Sequence, residues 1–130
     1  MRIRVKSISI YVNDQERALR FYQEAFGFLI IGDVPLDDGS GDRWIEIQLP
    51  EDTIGLTLLS AKAAKYFGET IGGWSNVVFS VDDMEAEVHR IQEAGGIVTR
   101  EPEILEWGEW AVVADPDGNQ LGLTGERERP

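Results

Sequence analysis

The stretch VNDQERALRFYQEAFGF, residues 12–28, occurs a second time as VDDMEAEVHRIQEAGGI at residues 81–97. Each copy lies between two apolar runs of strand character, so the repeated unit reads strand, acidic turn, helix, glycine, strand. Any two strand-helix units can share acidic caps and a final glycine, but here the same order of elements continues through both halves. The repeat therefore predicts two similar modules whose contact creates the site. At an offset of 69 the copies share seven residues, which are Val12/Val81, Asp14/Asp83, Glu16/Glu85, Gln23/Gln92, Glu24/Glu93, Ala25/Ala94 and Gly27/Gly96.

The composition is that of an acidic globular domain. The chain has 130 residues and a formal net charge of −12, and this length is typical of one domain. An acidic surface repels phosphate backbones, so nucleic acid is disfavoured as a partner; the charge serves solubility or attracts a cationic ligand. Because the sequence lacks cysteine, thiolate zinc sites are excluded. With no long apolar run and no leader, we expect no membrane partner and a cytoplasmic location.

The first module is predicted to be βαβββ. Its first strand, residues 3–12, alternates between an apolar core face of Ile8, Ile10 and Val12 and a more polar face that carries Ser7 and Ser9. Asn13 or Asp14 is the predicted N-cap of the helix, and Gly27 ends it. Three further strands are predicted at 28–34, 43–50 and 53–60, with a turn-rich loop at 35–42. In the strand predicted at 43–50, Ile45 and Ile47 lie on one side and Trp44 and Glu46 lie on the other.

The second module repeats the order of elements. Asp82 or Asp83 is the predicted N-cap of its helix, whose apolar stripe is Met84, Val88, Ile91 and Ala94. A loop containing Glu103, Glu106, Trp107 and Glu109 is predicted before the strand that begins at Trp110. The predicted boundaries within a single domain of residues 1–130 are about 1–60 for module one, about 61–73 for a linker with a short helix, about 74–125 for module two and 126–130 for a charged tail.

Two βαβββ modules, the helix phrase ALRFYQEAFGF at 18–28 and the turn DPDGNQLGL at 115–123 together resemble the vicinal oxygen chelate superfamily. That superfamily includes glyoxalase I, extradiol dioxygenases, fosfomycin-resistance enzymes and bleomycin-resistance proteins. In the turn, Pro116 presets the backbone and Gly118 supplies a positive φ. The resemblance covers nearly the whole chain. It implies an α+β fold with two βαβββ modules in tandem, whose mixed curved sheets enclose a cleft.

The resemblance also implies where a divalent metal would be bound. Catalytic members hold it with His or Glu side chains from the first and last strands of each module, and the matching positions here are Ser7, Asn76, Gly122 and either Gly55 or Thr57. None of these is His, Asp or Glu, so we expect no metal and no other cofactor. The single histidine, His89, is predicted to be a solvent-exposed helix residue.

What remains in the predicted cleft is aromatic and polar. Trp44 and Trp110 occupy matching places in the two modules, Trp74 and Trp107 lie nearby, and indole faces attract planar and cationic groups. With Glu46, this resembles the bleomycin-resistance branch, whose members bind a bulky cationic drug without catalysis. The tryptophans could instead fill a module or dimer interface. The predicted ligand-binding residues are Ser7, Ser9, Trp44, Glu46, Thr57, Asn76 and Trp110.

The leading hypothesis is a metal-independent protein that sequesters a small organic ligand, cationic or aromatic in character, and forms a homodimer. The alternative is an enzyme of the lyase, isomerase or dioxygenase type that uses carboxylates such as Glu46, Glu106 and Glu109 or an intersubunit site. A third hypothesis is a regulatory or interaction module that kept the fold and lost the chemistry.

Overall fold

The structure is a computed structural model that describes residues 1–126 of the chain. It confirms two tandem βαβββ modules, with a short helix between them. No helix in the described part of the chain is long and apolar enough to cross a membrane. The elements are β1 (Ser7–Tyr11), α1 (Gln15–Phe26), β2 (Leu29–Pro35), β3 (Arg43–Gln48), β4 (Gly55–Leu59), α2 (Ala61–Phe67), β5 (Gly73–Ser80), α3 (Met84–Glu93), β6 (Ile97–Leu105), β7 (Gly108–Ala114) and β8 (Asn119–Glu126).

Each module contributes one mixed four-stranded sheet. Sheet one has the order β1-β4-β3-β2 and sheet two the order β5-β8-β7-β6. In both sheets the first and last strands pair in parallel, and the other pairs are antiparallel. Within residues 1–126 no backbone ladder joins a strand of one sheet to a strand of the other, so the modules are held together by other contacts.

The helix caps follow the sequence repeat at one end and depart from it at the other. Asp14 caps α1 and Asp83 caps α3, which selects one of the two predicted residues in each case. Gly27 ends α1 with a φ of 79°, a left-handed conformation that glycine adopts without strain. After α3 the left-handed residue is Gly95, with a φ of 104°. Gly96, the repeat partner of Gly27, is needed for space instead, because a Cβ there would lie 2.9 Å from the carbonyl oxygen of Ala114.

One hydrophobic core spans both modules. The helices α1 and α3 pack against each other, and the ring of Phe26 from α1 stacks on Phe79 from β5 with centroids 4.3 Å apart. Ile45 and Ile47 of sheet one and Leu121 and Leu123 of sheet two are completely buried in this core. The faces of the two sheets that point away from α1 and α3 therefore lie outside this core.

Several local predictions need correction. The first strand is Ser7–Tyr11 and not 3–12, since pairing begins only where β4 lies alongside. The predicted loop around Glu103 is a hairpin, because β6 runs to Leu105 and pairs there with Gly108. On α3 the buried residues are Met84, Glu87 and Ile91, with Glu87 held by Arg90, while Val88 is only partly buried. Ile8, predicted to face the core, is exposed in a groove beside β5.

Of the predicted tail, Glu126 ends β8 and residues 127–130 lie outside the described residues.

The turn before β8 does more than reverse the chain. Asp115 Oδ1 accepts the backbone N–H groups of Asp117 and Asn119, both at 2.9 Å, and Asp115 Oδ2 accepts the Tyr22 hydroxyl at 2.7 Å. Asn119 donates from its amide to the Tyr11 carbonyl at 2.9 Å. Since Tyr11 and Tyr22 belong to module one, the buried carboxylate of Asp115 connects the modules.

Asp117 adds a second connection at the start of α1. Its Oδ1 accepts the backbone N–H of Asn13 at 2.9 Å and the guanidinium of Arg17 at 2.8 Å. Burial raises the pKa of Asp115, an effect that its hydrogen bonds with Asn119 and Tyr22 oppose. Burial and then the nearby Asp115 charge raise the pKa of Tyr22 well above its usual value, so its hydroxyl remains a donor. We call Asp115, Asp117 and Asn119 with their module-one partners the module clasp.

Replacing Tyr22 with Phe should lower the free energy of unfolding by about 1–2 kcal/mol, because a buried carboxylate oxygen loses a donor. In the wild-type protein the hydrogen bond from Tyr22 favours the ionised form of Asp115. Without that bond, the folded-state pKa of Asp115 is higher in the variant than in the wild type. The destabilisation should therefore be greatest at neutral pH and shrink as the pH falls through the pKa of Asp115. Urea unfolding at several pH values measures it. Tyr66→Phe, which alters an exposed ring, is the control, and an equal, pH-independent loss in both variants would contradict the role of the clasp.

Candidate functional site

The face of sheet one that points away from α1 and α3 carries a bonded polar group. Strand alternation places Trp44 and Glu46 opposite the buried Ile45 and Ile47. The Trp44 indole N–H donates to Glu46 Oε1 at 2.9 Å, and the Lys6 ammonium lies 3.5 Å from the same oxygen. Glu46 is therefore a buried carboxylate with a hydrogen bond and a cation on one oxygen.

The hydroxyl groups of the first and last strands of this sheet bond to each other. Thr57 is completely buried, and its Oγ1 donates to Ser7 Oγ at 2.7 Å. Glu46 and Ser9 are the partners of Thr57 on the neighbouring strands. Four of the seven predicted ligand-binding residues, Ser7, Trp44, Glu46 and Thr57, thus form two bonded pairs on one face, with Ser9 beside them.

Strand register decides between the two predicted metal positions of β4. Ser9 pairs with Thr57 and Val78 pairs with Gly122, and Val78 lies 78 − 9 = 69 residues after Ser9, the offset of the repeat. Thr57 is therefore the equivalent of Gly122. Gly55 has no room for a side chain, because a Cβ there would lie 2.6 Å from the carbonyl oxygen of Ile47.

Asn76 departs from the equivalence that the repeat predicted. It has a φ of 67°, and the pairing of β5 with β8 shifts register between Trp74 and Val78. Because of this bulge, Trp74 and not Asn76 pairs with Gln120. Asn76 instead lines a groove of about 350 Å³ between β1 and β5, together with Ser9 and Ile8.

The residues at these positions do not fit a transition-metal ion. Ser7 and Thr57 offer neutral hydroxyls that are already bonded to each other, Gly122 offers no side chain, and such metals need imidazole, thiolate or carboxylate donors. Within residues 1–126 no three His, Asp or Glu side chains lie close enough to share an ion. His89 is exposed on α3 and lies 3.0 Å from Glu93.

Three tryptophans cover the corresponding face of sheet two. The ring of Trp110 has its centroid 6.3 Å from that of Trp74 and 6.4 Å from that of Trp107. Trp74 is 47% exposed and Trp107 is 52% exposed, which leaves much of the indole area accessible. We call Trp74, Trp107 and Trp110 the tryptophan surface.

Gly122 lies beneath the rings of Trp110 and Trp74 in the tryptophan surface. A Cβ at this position would lie 2.5 Å from Cη2 of Trp110 and 3.1 Å from Cη2 of Trp74, so both rings occupy the space of the missing side chain. Sequence reasoning treated Gly122 only as a lost metal ligand and did not identify this role. The signal was a glycine in a strand that pairs with tryptophan-bearing strands, but it can be recognised only once the registers are known.

The predicted residues fall into separate places within one chain. Registers put Trp44 and Trp110 at equivalent positions, since Glu46 and Val112 pair with the equivalent residues Thr57 and Gly122. They nevertheless lie on different sheets, and no ring contact or hydrogen bond in the described part of the chain joins them. Glu109 pairs with Ile104 in the β6–β7 hairpin, and Glu106 lies in its turn.

Comparison with known proteins places this architecture in a family. The family model described as Glyoxalase/Bleomycin resistance protein/Dioxygenase superfamily matches residues 4–123. The protein YurT of Bacillus subtilis (strain 168) is 36% identical in an alignment 121 positions long that covers 88% of this chain and 93% of YurT.

Two solved structures are similar in both sequence and fold. A member of the same superfamily from Sphaerobacter thermophilus DSM 20745 has a TM-score of 0.82 and 30% identity, covering 95% of this chain and 98% of that one. TnmS3, an antibiotic binding protein from Streptomyces sp. CB03234, has a TM-score of 0.76 and 30% identity, covering 96% and 97%. With the matched model spanning both modules, the chain belongs to the glyoxalase/bleomycin resistance protein/dioxygenase superfamily.

Proposed function

We propose that the protein binds, and by binding sequesters, a small planar organic molecule on the tryptophan surface without the help of a metal. The observation that carries the proposal is the seating of Trp110 and Trp74 on Gly122, which holds half-exposed indoles against the sheet. Leaving large aromatic area in water forgoes burial energy that the fold could otherwise gain. Contiguous exposed apolar area of this kind marks binding sites.

The chemistry of indole narrows the ligand class. Indole gives a wide flat contact, one N–H donor and a face that attracts cations. The formal net charge of −12 disfavours anionic ligands. A neutral or cationic molecule with fused or conjugated rings suits this surface best.

Two further observations support a binding role. The Ser7–Thr57 bond uses hydroxyl groups at two of the positions where catalytic relatives would need metal donors. TnmS3, which is similar over nearly its whole length, is described as an antibiotic binding protein. We extend that class of ligand to this chain as part of the proposal.

Isothermal titration with proflavine, a planar tricyclic cation, and acridone, a neutral planar analogue, should detect binding. Replacing Trp107 with Ala should weaken the affinity about 3- to 10-fold, because one stacking face is lost. Tyr66→Ala, which removes an exposed aromatic residue of α2 outside the tryptophan surface, should leave the acridone affinity unchanged. EDTA in the buffer should not alter the affinity. No heat with either compound, or an affinity that EDTA abolishes, would contradict the proposal.

Gly122→Ala should displace Trp110, because the added methyl would meet its ring at 2.5 Å. We expect a changed near-ultraviolet circular dichroism spectrum, weaker proflavine binding and a stability loss of about 1–3 kcal/mol from overpacking. Gly125→Ala on the same strand is the matched control, since its added Cβ would meet neighbours only at 3.6 Å or more. Equal spectra and affinities for both variants would show that Gly122 does not position the indoles.

We further propose that two copies form a homodimer. The edge strand β2 exposes four apolar side chains, Leu29, Ile30, Ile31 and Val34, along an unpaired edge of sheet one. Such an edge favours pairing with another chain unless it is covered.

Light scattering coupled to size exclusion should therefore give twice the mass of one chain. Ile31→Lys should shift the protein toward the monomer, because a charged side chain would be buried in the contact. The control Val5→Lys changes an exposed residue outside the strands. A monomeric wild-type protein at micromolar concentration would contradict this part of the proposal.

A further inference from the structure

An aromatic cavity lies on the module-one side, between α2 and the loop of residues 36–42. Its volume is about 240 Å³. We call it the α2 pocket. Its main lining residues are Leu36, Asp42, Trp44, Ala63, Tyr66 and Phe67.

Hydrogen bonds hold both walls of the α2 pocket in place. The loop closes on itself where the Leu36 N–H donates to the Asp42 carbonyl at 2.9 Å. The Lys62 ammonium of α2 lies 3.2 Å from Asp38 Oδ2 of the loop, which joins the two walls. The start of α2 is fixed by Ser60, whose hydroxyl accepts the Ala63 N–H at 3.3 Å. The pocket is therefore a shaped feature of the fold.

The walls are aromatic and largely accessible. Tyr66 is 82% exposed and Phe67 is 57% exposed, and their rings meet edge to face with centroids 5.0 Å apart. Trp44 is 39% exposed, and its N–H is already used by Glu46, which fixes the ring. Three aromatic rings thus border one cavity, and two of them lie on a helix of seven residues.

The charge in the lining is unbalanced. Lys62 and Asp38 pair with each other, so their charges offset. The Asp42 carboxylate has no hydrogen bond or ion pair among residues 1–126. The neighbouring Arg43 is held away by Asp33 and Glu16, each at 2.8 Å. One negative charge therefore remains beside the aromatic walls.

We propose that the α2 pocket binds an organic monocation, an alkyl- or arylammonium group whose apolar part lies against Trp44, Tyr66 and Phe67 while its charge faces Asp42. Aromatic faces and a carboxylate together favour such a group over a neutral or anionic one. A quaternary ammonium is a suitable form, since it needs no hydrogen-bond acceptors. The site is separate from the tryptophan surface, and the inference would stand if ligand binding there were disproved.

The test is a titration of the ¹⁵N-labelled full chain with benzyltrimethylammonium, a ring with a permanent positive charge, followed by amide chemical shifts. We expect saturable shifts at Asp42, Ala63 and Phe67 and no saturable shifts there with phenylmethanesulfonate, its anionic counterpart. Asp42→Asn should weaken the affinity about 5-fold, as one near-surface carboxylate is lost. Asp37→Asn, an exposed loop carboxylate with the same change in net charge, should weaken it by less than about 2-fold.

The variants separate the two sites. Tyr66→Ala should weaken benzyltrimethylammonium binding and leave the acridone affinity unchanged, whereas Trp107→Ala should weaken acridone binding and leave the benzyltrimethylammonium affinity unchanged. Shifts confined to Trp74, Trp107 and Trp110, equal effects of Asp42→Asn and Asp37→Asn, or no binding of the cation would each overturn the inference. None of these results would touch the binding of acridone to the tryptophan surface, so failure of one proposal is distinguishable from failure of the other.

Discussion

The buried carboxylate of Asp115 is the interaction on which the arrangement of the molecule depends. It satisfies backbone N–H groups of its own turn and receives the Tyr22 hydroxyl from the other module. A buried carboxylate is unfavourable unless it is fully hydrogen-bonded, so this position tolerates few other geometries. Because the clasp and the shared core use the helix side of both sheets, the opposite faces are left for the polar pairs of sheet one and the indoles of sheet two.

Much of the fold follows from local sequence rules. Aspartate before each helix, alternating strands and the offset of 69 predicted two βαβββ modules, and the structure places Asp14 and Asp83 at the caps. These features depend on near neighbours in the chain, so a pattern can reveal them. The hairpin of β6 and β7 was not predicted, because its polar residues are typical of loops, whereas cross-strand pairing decides their conformation.

The candidate site was harder to predict because it depends on contacts between distant residues. The sequence indicated that Trp44 and Trp110 are equivalent, and the registers agree, but no pattern could show that they face different surroundings in one chain. Gly122 is informative only beside the rings of Trp74 and Trp110. Asp42 and Phe67 lie in predicted loop and linker segments, where a cavity between two connections leaves no periodic signal.

The bulge of β5 determines the face of sheet two on which Trp74 lies. Four residue steps on β5, from Trp74 to Val78, span two steps on β8, from Gln120 to Gly122, an excess of 4 − 2 = 2. Side chains alternate between faces along a strand, so an even excess keeps Trp74 on the outer side, and an odd one would turn its indole inward. The bulge therefore acts by parity: it keeps the indole of Trp74 on the same face as that of Trp110, whereas the equivalent face of sheet one carries the hydroxyl pair of Ser7 and Thr57.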